Sequence, residues 1–376
     1  MTDREPTTRR GRIRIEGFDE HATATNTDHV QSNRSDLDAV SDRRDELDRR
    51  TTVDRLPTGG RSTRGGRNLD SGVGNKTGLE ASWGRFRSNR TALFGLAIVA
   101  ALSVLALFAR PLEFSAMGYT LTVQPFSLAP YDPSELYVGP SNAGPSLAHP
   151  FGTDWAGRDL FSRVLVGGRY SLSIGALAVT LALCIGIPLG AIAGYFGGWI
   201  DETIMRLVDT LYAFPFLVLA IAIVAILGPG YWNLIVALVV TGWLTYARLL
   251  RGEVLSIVET DYVEASKALG TPHRTIIGRH VVPNAIGPVI VQATLNVGSV
   301  VLAAAALGFL GLGLEAGTAE WGTMLARGRS SLLQGHWHVT VFPGMAIFLF
   351  VLAINLVGDG VTDALDPRRE TGRRDR

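Results

Sequence analysis

The stretch SLSIGALAVTLALCIGIPLGAIAGY, residues 171–195, contains no charged side chain from end to end. A helix that crosses the roughly 30 Å hydrocarbon layer needs about 20 mostly apolar residues, because each adds only about 1.5 Å. The stretch exceeds that length and carries no polar face for water, so it reads as a membrane span. Within it Gly186, Gly190 and Gly194 recur every four residues, which puts them on one helix face where a second backbone can approach closely. The stripe reads as helix packing inside the chain.

Working outward, the same criterion finds five more spans. Residues 91–109 form the first. No charge occurs between Asp209 and Arg248, and Gly228-Pro229-Gly230 falls near the middle, so this region reads as two helices joined by a tight turn, the third and fourth spans. The fifth lies in the uncharged run 281–314, starting after Pro283, and the sixth covers 339–358. The expected fold class is therefore all-α: a polytopic membrane protein with six transmembrane helices and both termini on one side. Fourteen Arg and Lys flank the spans on the side of the termini and six lie on the other, so the positive-inside rule makes the termini cytoplasmic. Residues 110–168 become an outer loop and 248–283 the longest cytoplasmic one. Arg206 and Asp209, three apart at the start of the third span, read as an i,i+3 pair.

The whole-chain composition hides this division. The 376 residues carry 35 Lys and Arg against 34 Asp and Glu, so no global field points to nucleic acid or an acidic partner. Residues 1–90 hold only 19 hydrophobic residues beside 18 basic and 15 acidic ones, a composition that cannot bury a core. Residues 1–82 are expected to form a disordered polar cytoplasmic tail, 83–369 the six-span domain, and 370–376 a short basic cytoplasmic tail. The tail's interleaved charges read as solvated polyampholyte rather than as a nucleic-acid or lipid site. No apolar stretch between positions 1 and 80 resembles a secretory signal.

Several chemistries find no residues to carry them. Cys184 is the sole cysteine, so one chain supplies no disulfide, Cys-rich zinc site or iron–sulfur cluster. Neither H-E-x-x-H nor G-x-S-x-G occurs. His336 and His338 flank Trp337 without a nearby carboxylate and read as surface or interface residues, so no metal site is expected. Gly72-Val73-Gly74-Asn75-Lys76-Thr77 is only faintly like a phosphate loop, since Asn75 interrupts the Gly-Lys-Thr triplet. Sequons at Asn33, Asn75 and Asn89 fall on the cytoplasmic side and are chance matches. The span interiors hold almost no ionisable residue for a proton or sodium relay. An ATPase-independent channel or secondary carrier stays the alternative function, disfavoured by those charge-free spans.

The inside loop 248–283 is patterned for two short helices. Asp261 with Glu264 matches the D-x-x-E form of a capping box, and Gly270 suits a helix end at positive φ. Thr271-Pro272 reads as an N-cap and first turn, with the second helix stopping before Pro283. Tethered at both ends to spans, this elbow suits docking onto a cytoplasmic protein better than entry into a DNA groove.

Glu264-Ala265-Ser266, then Gly270, and later Val281-Val282-Pro283 resemble the EAA loop of ABC importer permeases. Ser266 replaces the last Ala of that pattern, and His280 and Val282 stand where it has Ile and Leu. His149-Pro150-Phe151-Gly152-Thr153-Asp154, Gly157-Arg158-Asp159 and Ser162-Arg163 resemble the outer-loop signature of the C-type permease subunit of dipeptide, oligopeptide and nickel importers. Gly194-Tyr195-Phe196-Gly197-Gly198-Trp199, Phe309-Leu310-Gly311-Leu312-Gly313, Trp321-Gly322, Gly358-Asp359-Gly360 and Asp366-Pro367-Arg368 agree with it.

The resemblance implies a MetI-like permease bundle in the plasma membrane, serving as one subunit of an ATP-driven importer of di- or oligopeptides. It implies a homologous second permease, two cytoplasmic P-loop ATPases and an extracytoplasmic substrate-binding protein. This chain is then no enzyme and binds no cofactor; ATP belongs to the partner subunits. The resemblance places an ATPase-coupling loop on Asp261, Glu264, Ala265, Gly270, His280 and Pro283. Asp154, Arg158 and Asp159 are candidates for contact with a partner, although fold support within the loop is the stronger expectation for them. Substrate-lining residues are not legible.

Overall fold

The computed structural model describes residues 78–365, apart from 117–118 and 316. The phosphate-loop-like stretch 72–77, the sequons at Asn33 and Asn75, the motif 366–368 and the tail 370–376 lie outside these residues. So does nearly all of the expected tail 1–82, although a helix, α1 (Gly78–Ser88), crosses the boundary drawn at 82.

After α1 come α2 (Arg90–Leu107), a hairpin of β1 (Leu112–Ala116) and β2 (Tyr119–Gln124), and α3 (Leu160–Phe196). Next are α4 (Gly198–Tyr212), α5 (Phe216–Leu227) and α6 (Tyr231–Val258), then the elbow helices α7 (Asp261–Ala268) and α8 (His273–Ile276). A π-helical turn, Ile277–Val281, leads into α9 (Val282–Phe309), followed by α10 (Trp321–Leu333) and α11 (His338–Leu365). Five helical stretches are long and apolar enough to cross a membrane, and α4 and α5 pass the same test only when taken together, across an 87° bend. The antiparallel hairpin, with Glu113 opposite Thr122 and Ala116 opposite Tyr119, is the strand pairing among the described residues.

The bent α4–α5 pair departs from the sequence reading of a third span. Pro215 has no N–H for a helical bond, and it restricts the residue before it. The chain therefore turns at residues 213–215, and α5 alone covers only about 18 Å. The pairing expected between Arg206 and Asp209 does not form either. Arg206 bonds Glu202 one turn back at 2.6 Å, while Asp209 pairs with Arg248 of α6. Helix α3 also begins at Leu160 rather than at residue 171, because Asp159 caps it, accepting from the Ser162 N–H at 2.8 Å.

The glycine stripe of α3 lies against α6. A Cβ on Gly186 would sit 2.7 Å from the Trp243 carbonyl oxygen, and one on Gly194 would sit 2.8 Å from Val254 Cβ. At Gly190 it would run into the backbone of Ala247. At the other flank Gly95 of α2 meets α11, where an added Cβ would lie 2.6 Å from the Ala353 carbonyl oxygen. Asn89, the third sequon asparagine, is a cap: its side-chain oxygen accepts from the N–H groups of Thr91 and Ala92, and its amide donates to Asp363 of α11 at 3.2 Å.

Gly190→Val is expected to force α3 and α6 apart, destabilising the detergent-solubilised protein by about 3 kcal/mol. Gly242→Ala, whose Cβ meets only Ala182 Cβ at 3.5 Å, leaves the melting temperature unchanged. Thermal unfolding of the two variants beside the parent checks both expectations.

Candidate functional site

The elbow is built from its caps inward. Thr260, extended at φ −81° and ψ 145°, is the N-cap of α7, so Asp261 is the first helical residue and Glu264 lies one turn on. The expected Asp261–Glu264 capping box is not formed. Thr260 takes the cap position but donates its hydroxyl back to the Ile257 carbonyl at 2.6 Å, and no side chain caps the helix. Asp261 and Glu264 instead place negative charge in the first turn, where the helix dipole favours it. The far end follows the sequence closely. Gly270 sits at φ +75°, and its N–H donates to the Lys267 carbonyl while Thr271 N–H donates to the Ser266 carbonyl. These two bonds are a Schellman motif, which needs the left-handed residue that glycine supplies without strain.

Pro272 caps α8 in place of Thr271. The second elbow helix does not stop before Pro283, contrary to expectation; it widens into the π turn and continues as α9. Pro283 stands in the first turn of α9, where its missing N–H is least costly, and the wider turn absorbs the register change. His280 lies in that turn, half-buried, its carbonyl accepting from the Asn284 side chain at 2.5 Å.

The elbow has a rooted side and a free side. Val263, Ile276 and Val281 are fully buried, in one core with Ala191, Ala247, Leu250 and Val254 of the spans. Asp261, Glu264, Ala265 and Gly270 are exposed, and Leu269 at the tip is 85% exposed. Glu264 makes no ion pair or side-chain hydrogen bond among the described residues. Leu269 was missed in the sequence, although a leucine directly before the glycine of a helix end is a legible signal for an exposed apolar tip.

A second missed group holds the elbow to α3. The Tyr195 hydroxyl and His273 Nδ1 share a hydrogen bond of 2.8 Å, and Lys267 Nζ lies 5.4 Å from the centre of the Tyr195 ring. Tyr195 thus touches both elbow helices at once. Arg251 of α6 bonds both carboxylate oxygens of Asp201, tying α4 to the same end of the bundle.

The outer-loop candidates are not on the surface. Asp154, Arg158 and Asp159 are buried, Asp159 completely. Asp154 accepts from the N–H groups of Ala156 and Arg158 and from Arg158 Nε at 2.7 Å, with Arg163 Nε at 3.7 Å. Asp159 caps α3 and holds His149 Nδ1 at 2.9 Å. Charges this deep persist because they are paired and hydrogen-bonded, and they have no side chain left to offer a partner's surface. His338, read as a surface or interface residue, is also buried, with Nε2 3.3 Å from the Thr153 carbonyl oxygen. Glu320 was not singled out. It is 1% exposed, caps α10 through the N–H groups of Gly322 and Thr323, and accepts from Ser171 of α3 at 3.1 Å. Among the described residues no group of His, Cys, Asp or Glu is placed to hold a metal ion.

Residues 186–371, which include the elbow, match the family model of the binding-protein-dependent transport system inner membrane component. The chain belongs to that family. Residues 79–145 match the N-terminal transmembrane domain of oligopeptide transport permease C. The dipeptide transport system permease protein DppC of Alkalihalophilus pseudofirmus is 44% identical over 289 residues, covering 76% of this chain and 89% of the relative. The glutathione transport system permease protein GsiD of Escherichia coli is 43% identical over 287 residues, with the same coverage. A solved inward-facing MetNI methionine ABC transporter aligns with a TM-score of 0.46 and 22% identity over 55% of this chain and 98% of that one. The chain is a multi-pass membrane permease component of this family.

In the permease, Tyr195→Phe removes the bond to His273 while keeping the ring under Lys267. A hydrogen bond of this kind contributes about 1 kcal/mol. Hydrogen exchange at residues 261–276 is expected to speed up about fivefold, with the spans unchanged; mass spectrometry of the exchanging protein in detergent measures it.

Proposed function

We propose that this permease is one membrane subunit of an ATP-driven importer of di- and oligopeptides. It works with a homologous second permease, two cytoplasmic P-loop ATPases and an extracytoplasmic substrate-binding protein. It sits in the plasma membrane with both termini cytoplasmic, and ATP is bound by the partner subunits only. Peptide cargo is supported by relatives named for dipeptide and glutathione transport.

The single observation that carries the reading is the two-sided elbow. Its roots Val263, Ile276 and Val281 are fixed in the core of the spans, while Glu264, Ala265 and Leu269 stand free. An exposed apolar tip beside a carboxylate without a partner among the described residues suits insertion into a groove of an ATPase. Closure of the ATPase pair then moves the elbow as a body and alternates the access of the path between spans. Asp154, Arg158 and Asp159 serve this function by stiffening the outer loop rather than by touching a partner.

Two experiments test it. Purification from native membranes in mild detergent is expected to yield a second six-span permease and two P-loop ATPases; a homo-oligomer without ATPases overturns the reading in favour of a channel or carrier. Gly270→Val puts a β-branched side chain at positive φ, costing about 1–2 kcal/mol at the turn. It is expected to abolish peptide uptake while ATPase subunits still co-purify and hydrolyse ATP; wild-type uptake by this variant removes the elbow from the coupling mechanism.

A further inference from the structure

A cavity of about 220 Å³ lies between α3, α6 and α9, with Phe216 of α5 at its edge. It is large enough to hold several water molecules. Its walls are mixed: Ala178, Val179 and Ala182 make the α3 side apolar, and the polar groups come from α6 and α9. On α6, Thr241, Gly242 and Thr245 face it at helical spacing, and on α9 Asn296, Ser299, Val300 and Ala303 do. Gln292, one turn before Asn296, extends the polar line on α9. Polar side chains in a span are costly against lipid and mark water-filled paths or bundle interiors.

The hydrogen bonds show how much of this polarity is used internally. Asn296 donates to the Tyr246 hydroxyl at 3.1 Å and accepts from Gln292 at 2.9 Å. Tyr246 is thereby an acceptor and, at 1% exposure, is packed into the wall, where it holds Asn296 in place. Asn296 keeps a second N–H. Thr245 shares a hydrogen bond of 2.9 Å with Tyr212, and exposed Ser299 has no side-chain bond among the described residues. The wall thus offers spare donors and acceptors that are all neutral: hydroxyl and amide. Among the described residues no carboxylate, imidazole or thiolate lines the cavity, and those are the groups that bind a transition-metal ion.

Resting on the importer reading above, we propose that this cavity is this chain's share of the translocation path. It binds amide-bearing cargo through Asn296, Thr245 and Ser299, and it does not serve a bare metal cation. Neutral hydrogen bonds suit transit, since cargo must be held strongly enough to enter and weakly enough to leave. At 220 Å³ the cavity is smaller than a typical ligand pocket of about 300–1,000 Å³, consistent with a wall that another subunit completes.

Two arms test this in the full assembly in native membranes. In a Cys184→Ala background, Thr245→Cys, Ser299→Cys and the mid-span control Ala101→Cys are treated with a charged methanethiosulfonate reagent in vesicles opened on both sides. Labelling of the first two at least tenfold faster than the control is expected; equal rates overturn the cavity as a hydrated path, whatever the cargo. In cells, uptake of radiolabelled dialanine is compared between wild type and Ser299→Ala, which breaks no internal bond, and Asn296→Leu. A fall of about fivefold, the worth of one hydrogen bond of about 1 kcal/mol, is expected in each, at unchanged protein level. Wild-type uptake by both variants overturns the wall's role in binding. If the wild-type protein moves nickel ion and no peptide, the cargo class proposed here is overturned. If it moves neither, the importer reading fails and the labelling arm alone decides whether the cavity is a water-filled path.

Discussion

The structure depends on one close approach, that of the α3 backbone to the α6 backbone along Gly186, Gly190 and Gly194. Lipid offers no hydrophobic drive to bring two apolar helices together, so association rests on packing contacts and on the few polar groups that can bond. Removing three side chains from one face lets Trp243, Tyr246, Ala247 and Val254 of α6 settle directly on the α3 main chain. That contact sets how closely the two helices lie where they end. The end of α3 is where Tyr195 reaches His273, and the end of α6 is where the elbow begins. A wider separation would leave Tyr195 short of its partner and open Val263, Ile276 and Val281 to solvent.

The opposite end of the bundle is held by a different device, buried charge. Asp159 starts α3 and Glu320 starts α10, and each carboxylate is spent on helix N–H groups and on a residue of another segment, His149 or Ser171. Arg163, 1% exposed, sits beside Asp154 and donates to the Pro133 carbonyl at 2.5 Å. Such groups are expensive to bury singly and tolerable when every oxygen and N–H is satisfied. They therefore lock one arrangement of the loop, whereas an apolar plug would accept several. In the proposed importer, this end is the rigid cover and the elbow at the other end is the part that moves.

The spans were legible because a bilayer imposes length and neutrality together, and runs such as 171–195 satisfy both with nothing to arbitrate. Gly270 was legible for a similar reason: a helix end followed at once by Thr-Pro leaves glycine one conformation to supply. What failed was either a choice between neighbours or a contact made only by the fold. Thr260 and Asp261 are both good caps, and the decision belongs to the Thr260 hydroxyl, which bonds Ile257 in the preceding helix. The break at Pro215 is hidden inside an uncharged run, so a hydropathy reading passes over it. Glu320 is a poor cap by type, and its burial depends on Ser171, far away in sequence on α3. Asp154 and Arg158 are buried, and the further neighbour of Asp154, Arg163, is brought beside it only by the fold.

The two regions of interest share the same helices, which is the strongest argument that they act together. Helix α6 carries Thr241, Thr245 and Tyr246 beside the cavity and runs on unbroken from Tyr246 to its end at Val258, where the elbow begins. Helix α9 leaves the elbow through the π turn and runs unbroken from Val282 to Asn296 on the opposite wall. At about 1.5 Å per residue these arms are roughly 20 Å long. No flexible loop lies between tip and wall on either side: the Schellman turn is hydrogen-bonded, the π turn is continuous with α9, and Tyr195 braces both elbow helices. In the proposed importer a push on Leu269 cannot be absorbed locally. It has to tilt α6 relative to α9, and the groups that separate are those that bond across the cavity, Tyr246 on one arm and Asn296 on the other.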